Sequence, residues 1–341
     1  MKIKRVLSLA VALVMASLLL VGCGQKSATS TQESASKAES STAQTTDSTK
    51  ATAGQTEKKD KYVIGVTMES LQDFLAYVAD GCTQYGKDHP EVQVSIMDAK
   101  LDMAAQMKHV ENFIAQKVNA IVIKCVDKDA TGPISEKCKE AGVKLVCTNI
   151  KMNSPYDSYV GSNHKLSGKL EAEYIAKKLN GKGNIAILMG DPSHDAARDR
   201  TDAVKEVVAA NPGMKVVAEQ TGKWDRDKGM IVAENWIQSG LPIDAIIANN
   251  DEMAIGAIRA YEQAGKKGVL FGGIDGTKDA LGYLKEGRLT VTVFQNGFQQ
   301  GYKAIEAAHK LLMGENVPQY VDVPYELVPP EKADEYLAKY K

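Results

Sequence analysis

The chain has 341 residues and a formal net charge of −1, with 44% hydrophobic and 25% charged residues. That balance belongs to a globular protein with a sizeable core, and it offers no basic excess for a nucleic-acid partner. Without residues 1–22, which carry Lys2, Lys4 and Arg5, the charge falls to −4, so the body is mildly acidic.

Residues 1–22 read as an export signal: a basic start, an apolar stretch from Val6 to Val21, and Gly22 at the cut. The stretch is too short and wrongly flanked for a membrane span. Leu20-Val21-Gly22-Cys23 resembles the lipobox of bacterial lipoproteins, in which the cysteine thiol takes a diacylglycerol and becomes the new N-terminus. Cys23 is thus the expected lipidation site, and the mature protein is expected outside the cytoplasm, anchored to the membrane by lipid. From Gly24 to about residue 60 the chain is almost entirely Ser, Thr, Ala, Gln, Lys and Glu. Such a segment buries too little apolar surface to offset its ordering entropy, so residues 23–60 are expected to be a lipidated cysteine and a disordered linker.

The remaining body is long enough for two domains. Short runs rich in Val and Ile recur at Tyr62 to Thr67, Val92 to Met97, Ala120 to Lys124, Val143 to Thr148, Asn184 to Met189, Lys215 to Glu219, Ala245 to Asn249, Val269 to Ile274 and Thr290 to Phe294. Each is short and nearly continuous in apolar character, as parallel strands buried on both faces are. Helical stretches lie between them, the clearest from Phe74 to Asp88 with a stripe of Phe74, Leu75, Tyr77, Val78, Cys82 and Tyr85. The alternation predicts α/β architecture in two doubly wound, Rossmann-like units. Tyr156 to Gly161 reads as a short extended link between them.

Ligands of open parallel sheets bind beyond the carboxyl ends of the strands. In the first unit those ends carry Gln72, Phe74, Lys124 and Asn149; in the second they carry His194, Arg198, Arg200, Trp224, Asn250, Asp251, Asp275 and Gln295. Amides, one isolated carboxylate, arginine and aromatic rings suit polyhydroxyl ligands. Planar Asn, Gln, Asp and Arg each hold two neighbouring hydroxyls, and rings cover the apolar faces of a sugar.

The stretch Asn250-Asp251-Glu252-Met253-Ala254-Ile255-Gly256-Ala257, followed by Gly273-Ile274-Asp275-Gly276-Thr277 and Phe294-Gln295, resembles the periplasmic sugar-binding proteins of the ribose and galactose type, the substrate-capturing components of ABC importers. The resemblance runs from residue 62 to 325. It implies the type I periplasmic binding protein fold, with two lobes joined by a three-crossing hinge near Ser162 and Asn163, near Gln295 and Asn296, and around Val323 to Tyr325. The lobes would be residues 61–162 plus 296–324, and 163–295 plus 325–341. By position in the family's motifs, Gln72 and Phe74 would be the polar and stacking residues of the first loop, and Leu75 stands where ribose-type members have a second aromatic. Arg200 matches the sugar-binding arginine, Trp224 the stacking ring, Asn250 the amide, Asp275 the carboxylate and Gln295 the hinge amide; His194 stands where galactose-type members place a ligand histidine. Asn149-Ile150 and Lys124 depart from the ribose pattern, which has Asp-Arg and Asn there, and no acidic calcium loop precedes Asn184.

Plainer readings stand beside these. Trp236 lies on a helical stripe and is read as core, whereas Trp224 sits in a loop. Asp251 reads as a helix N-cap, leaving Asn250 for the ligand, and Asp275 has a competing reading as the cap of a helix beginning near Thr277. Arg198 reads as a surface partner. Lys124 either pairs with Asp127 or Asp98, or meets a ligand carboxylate. Of Cys82, Cys125, Cys138 and Cys147, only Cys125 and Cys147 are placed to pair. No close Cys pair and no histidine spacing points to a metal, and neither a cofactor nor catalytic residues are expected.

The reading is therefore a monomeric extracytoplasmic lipoprotein, not an enzyme, that closes by hinge motion over a monosaccharide or related polyol and presents it to an ABC permease. A sugar or cyclitol receptor feeding a chemotaxis or kinase sensor would use the same pocket. A hydrolase would need two opposed carboxylates, and the strand ends offer chiefly Asp275. A repressor of related architecture would need a helix-turn-helix where this chain has its leader.

Overall fold

The computed structural model describes residues 61–340; the expected leader, Cys23 and the linker lie outside the described residues. In chain order the elements are β1 (Tyr62–Met68), α1 (Phe74–Asp88), β2 (Val92–Asp98), α2 (Met103–Ala115), β3 (Ala120–Lys124), α3 (Gly132–Ala141), β4 (Lys144–Thr148) and β5 (Ser158–Gly161). There follow α4 (His164–Lys178), β6 (Lys182–Met189), α5 (Asp195–Ala209), β7 (Gly213–Thr221), α6 (Arg226–Gln238), β8 (Ala245–Ala248), α7 (Asp251–Gln263), β9 (Leu270–Asp275), α8 (Lys278–Lys285) and β10 (Val291–Phe294). The chain ends with α9 (Gly297–Leu312), β11 (Tyr320–Asp322), β12 (Glu326–Val328) and α10 (Ala333–Leu337).

Two six-stranded sheets result, ordered β11-β5-β4-β3-β1-β2 and β12-β10-β9-β8-β6-β7. The first is parallel throughout; in the second only β12 runs antiparallel, against β10. This is the type I periplasmic binding protein fold. Strand order reverses between β1 and β3 and again between β6 and β8, and such switch points open a crevice at the strands' carboxyl ends.

Alternate strand residues face opposite layers, which is why these runs read as continuously apolar. Ile64, Val66 and Val122 pack with Val78 of α1 and Ala304 of α9, while Ile121 and Ile123 pack with Phe113 of α2 and Ile134 of α3. In the second sheet Leu188 and Ile246 meet Trp236, Ala254 and Leu281, and Ile187 and Ile247 meet Ile175 and Val204. Trp236 is core, as its stripe predicts. Helices α1 and α9 cross at a pair of glycines: a Cβ at Gly81 would collide with the Phe298 carbonyl, and one at Gly301 with the Val78 carbonyl.

The chain passes between sheets three times, at Ser162–Asn163 before α4, at Gln295–Asn296 before α9, and through Val323–Tyr325 between β11 and β12. Asn163 and Asn296 also cap the helices that follow, accepting the Leu166 and Gln299 N–H groups.

Two sequence expectations need correction. Ser158–Gly161, within the stretch read as a link, is a fully buried strand between β4 and β11; its partner β11 comes from the far end of the chain, and the Ser158 hydroxyl is absorbed by the Pro318 carbonyl. Cys125 and Cys147 are free, like Cys82 and Cys138. The register sets Cys147 opposite Ile123 rather than opposite Cys125. Burial pushes the thiols of Cys82, Cys125 and Cys138 up to about 12, so they are inert.

Candidate functional site

The second lobe concentrates its polar groups around Arg200, on the second turn of α5. The guanidinium is 3% exposed. It donates to the Asn249 carbonyl at 2.6 Å, to Gln295 Oε1 at 2.8 Å and to the Tyr325 hydroxyl at 2.7 Å, and stands 3.9 Å from Asp275 Oδ1. The rings of Trp224 and Tyr325 each lie 5.7 Å from it. A planar fork held on so many sides is preorganised.

Asp275 ends β9 with a φ of 127°, a left-handed conformation that costs backbone energy. It is not a cap: Thr277 caps α8 through its hydroxyl. Burial pushes its carboxyl well above the usual range; Arg200 opposes this and Asp251 reinforces it. The cap expected at Asp251 is instead Asn250. Asn250 sits in extended backbone and caps α7, accepting the Met253 N–H at 3.1 Å and donating to the Trp224 carbonyl at 3.1 Å. Asp251 is the first residue of the helix, and its buried carboxylate accepts from the Thr277 N–H and the Thr292 hydroxyl, tying α7 to the start of α8 and to β10.

Trp224 follows β7 in left-handed backbone and lies flat on Gly190, where any Cβ would strike the indole. Its ring N–H donates to His194 Nδ1 at 3.1 Å, and the two rings stack 6.0 Å apart. Burial, and next the charge of Lys124, lowers the His194 pKa. The imidazole is therefore neutral with its proton on Nε2, a donor aimed away from the indole. Arg198 is exposed and bonds to Pro192 and Asp195, as a surface partner does.

In the first lobe, Lys124 is buried in an ion pair with Glu69, not with Asp127 or Asp98. The pair joins the ends of β1 and β3 at the switch point. Its lysine is thus already neutralised. Asn149, in left-handed backbone, donates to Gln300 Oε1 at 3.1 Å; Gln300 in turn donates to Ser162, whose hydroxyl donates to the Val323 carbonyl. Its amide braces the hinge. Gln72 is exposed in the loop before α1; Phe74 and Leu75 are half-buried against the first core, Phe74 over Gly297. The structure thus brings Arg200, Trp224, Asn250, Asp275, Gln295 and His194 together, while Leu75 packs on the core and Asn149 on the hinge.

The two sets of strand ends face each other. The charges of Lys124 and Glu69 reach His194, and Asp73 feels Glu252 and Arg226. The lobes also touch beside β9, where the Tyr77 and Tyr340 rings lie 4.8 Å apart, and beside β6, where Lys128 Nζ is 3.8 Å from Asp195. An open cavity of about 420 Å³ lies on the hinge side, lined by Tyr156, Tyr159, His164, Asp195, Asp199 and Tyr320; Arg200 and Asp275 do not line it.

Sequence reasoning missed Tyr325, Asn249, Glu69 and His164. Tyr325 joins Arg200 to His164, whose ring nitrogen lies 2.9 Å from the phenol oxygen and whose pKa burial brings down to about 3. The one available signal was that Tyr325 falls in the third crossing. Three buried donors at this place, Arg200 Nε, Gln295 Nε2 and Asn249 Nδ2, have no hydrogen-bond partner among the described residues.

Residues 64–316 match the periplasmic binding protein domain family. A protein of Rhizobium meliloti named for rhizopine binding is 40% identical over 286 residues, covering 81% of this chain and 93% of that protein. The ribose import binding protein of Bacillus subtilis is 33% identical, covering 79% and 88%. A solved ABC transporter solute-binding protein of Bacillus halodurans, with bound myo-inositol, is 41% identical with a TM-score of 0.80, covering 84% of this chain and all of that one. The chain belongs to the periplasmic binding protein family, a family of binding proteins rather than enzymes.

Proposed function

We propose that this protein captures a small polyol, a monosaccharide or a cyclitol such as myo-inositol, between its lobes and delivers it to an ABC permease by hinge closure. The carrying observation is the buried pairing of Arg200 with Asp275 beside three donors that lack protein partners. An unsatisfied buried donor costs about 1–3 kcal/mol, so such a group is kept where a ligand supplies the acceptor. A ring of hydroxyls fits: each accepts from Arg200, Gln295 or Asn249 and donates to Asp275, with Trp224 and Phe74 covering apolar faces. The lobes of the proposal are residues 61–162 plus 296–324, and 163–295 plus 325–341.

A cyclitol is favoured over ribose by Lys124 and Asn149. Both are engaged, with Glu69 and Gln300, at positions where ribose-type proteins place Asn and Asp. The Lys124–Glu69 pairing also removes the premise for a ligand carboxylate. The bound cyclitol in the Bacillus halodurans relative supports the same class. Export and a lipid on Cys23 complete the proposal, placing the lobes outside the cytoplasm within reach of a permease.

A thermal-shift screen of the purified chain against hexoses, pentoses, cyclitols and sugar acids tests this. A ligand at a thousand times its dissociation constant adds about 4 kcal/mol of stability. A shift with a cyclitol or neutral sugar supports the proposal; silence across all four groups rejects it.

A further inference from the structure

His89, Glu91 and His309 are scattered in sequence, yet the fold gathers them. One ring nitrogen of each histidine and one Glu91 carboxylate oxygen lie within 4.8 Å of one another. His89 caps the C-terminus of α1, Glu91 sits just before β2, and His309 is in the last turn of α9. The Gly81–Gly301 crossing lets these two helices pack closely enough for their ends to meet. Phe74 opens α1 at the cleft, and a helix of 15 residues is about 22 Å long, so the cluster stands at the opposite end of the lobe from the polyol site.

His309 is the anchor. It is 4% exposed, and its Nε2 is buried without a hydrogen-bond partner. Its Nδ1 lies 3.0 Å from the Tyr85 hydroxyl, and the Tyr62 ring lies tilted against it with ring centroids 4.8 Å apart. In the tautomer whose Nδ1–H donates to the Tyr85 oxygen, Nε2 is left as a lone pair, the arrangement that orients metal-ligating histidines. His89 stacks on Tyr85 at 4.1 Å, and its Nδ1 is 3.3 Å from Glu91 Oε1. These two side chains are 36% and 39% exposed, which leaves an open side to the cluster.

We propose that His89, Glu91 and His309 form a binding site for a divalent transition ion, zinc above all, that clamps the ends of α1 and α9 to the start of β2. Two imidazoles and a carboxylate are a zinc donor set, and the open side admits water as the fourth ligand. Ligand atoms around tetrahedral zinc stand roughly 3.3 Å apart, so the half-exposed His89 and Glu91 must draw inward by rotation while His309 stays fixed. Magnesium and calcium, which take oxygen donors, are excluded by the same set.

The test is a thermal melt and an isothermal titration of the full, untagged chain with ZnCl2, NiCl2 and MgCl2. Zinc should raise the melting temperature saturably with one ion per chain, and magnesium should not. His89→Gln and Glu91→Gln, both at half-exposed positions, should each weaken zinc binding by more than about tenfold, and Tyr85→Phe by about tenfold through the tilt of His309. The polyol-induced shift should be unchanged in these variants, so failure here is separable from failure of the transport reading. Absence of a zinc-dependent shift, or a shift undiminished in both His89→Gln and Glu91→Gln, overturns the proposal.

Discussion

Arg200 donates to Gln295 at 2.8 Å, which fastens the buried arginine of α5 to the second hinge crossing. The same guanidinium reaches Tyr325 in the third crossing, so the pocket and the hinge share one hydrogen-bond network. A ligand that engages Arg200 therefore acts on the strands about which the lobes turn.

Asp275→Asn separates binding from folding. The carboxamide keeps the size of the side chain but gives up the charge-assisted acceptor, worth about 1.5–3 kcal/mol. The expected outcome is polyol affinity weaker by roughly tenfold to a hundredfold in calorimetry, with the free protein no less stable than the parent at neutral pH. Arg200→Met, by contrast, strands the Asn249 carbonyl, Gln295 and Tyr325, and should lower the free protein's stability by about 3 kcal/mol or more.

Acid should stabilise the free protein through its buried carboxyls. Burial raises Asp275 and Glu171 well above the carboxylate range and Asp251 to about 6. A raised carboxyl binds more protons folded than unfolded, so stability is full below pH ~4 and declines as pH climbs toward the folded values, by about 1.4 kcal/mol per pH unit per group. Ligand hydroxyls favour ionised Asp275, so polyol affinity should run the other way and tighten with rising pH. Denaturant midpoints and calorimetry between pH 5 and 8 check both signs; Asp275→Asn should flatten the affinity profile and lessen the slope of the stability profile, which Glu171 and Asp251 still carry.

The chain has two tryptophans, and they predict different optical behaviour. Trp224 lies beside Arg200 and His194, whereas Trp236 is 5% exposed in the second core. Ligand should change the emission of the parent and of Trp236→Phe but not that of Trp224→Phe.

Gly301→Ala should destabilise the first lobe by about 3 kcal/mol, because its methyl would meet the Val78 carbonyl and force α1 from α9. The urea midpoint measures this.

The strands were legible because parallel strands are covered on both faces, and Val and Ile runs declare it. β5, β11 and β12 were not, since Ser158 interrupts one run and three-residue strands carry no period; β11 moreover pairs with β5 from the far end of the chain. Arg200, Trp224 and Asp275 could be found as strand-end residues in a motif. The cap at Asn250 rather than Asp251 could not, since either side chain caps a helix and only the backbone at Asn250 decides. Sequence neighbours suggested Asp98 or Asp127 for Lys124, but β1 and β3 are adjacent in the sheet, which hands it Glu69. His89 and His309 meet for the same kind of reason, through two helices whose crossing is set by glycines.

The most direct measurement is an isothermal titration of the full chain with myo-inositol, repeated on Asp275→Asn. Saturable binding of one cyclitol per chain, weakened at least about tenfold by the substitution, is the expected result. Binding of equal strength in the parent and in Asp275→Asn would place the ligand elsewhere and contradict the account.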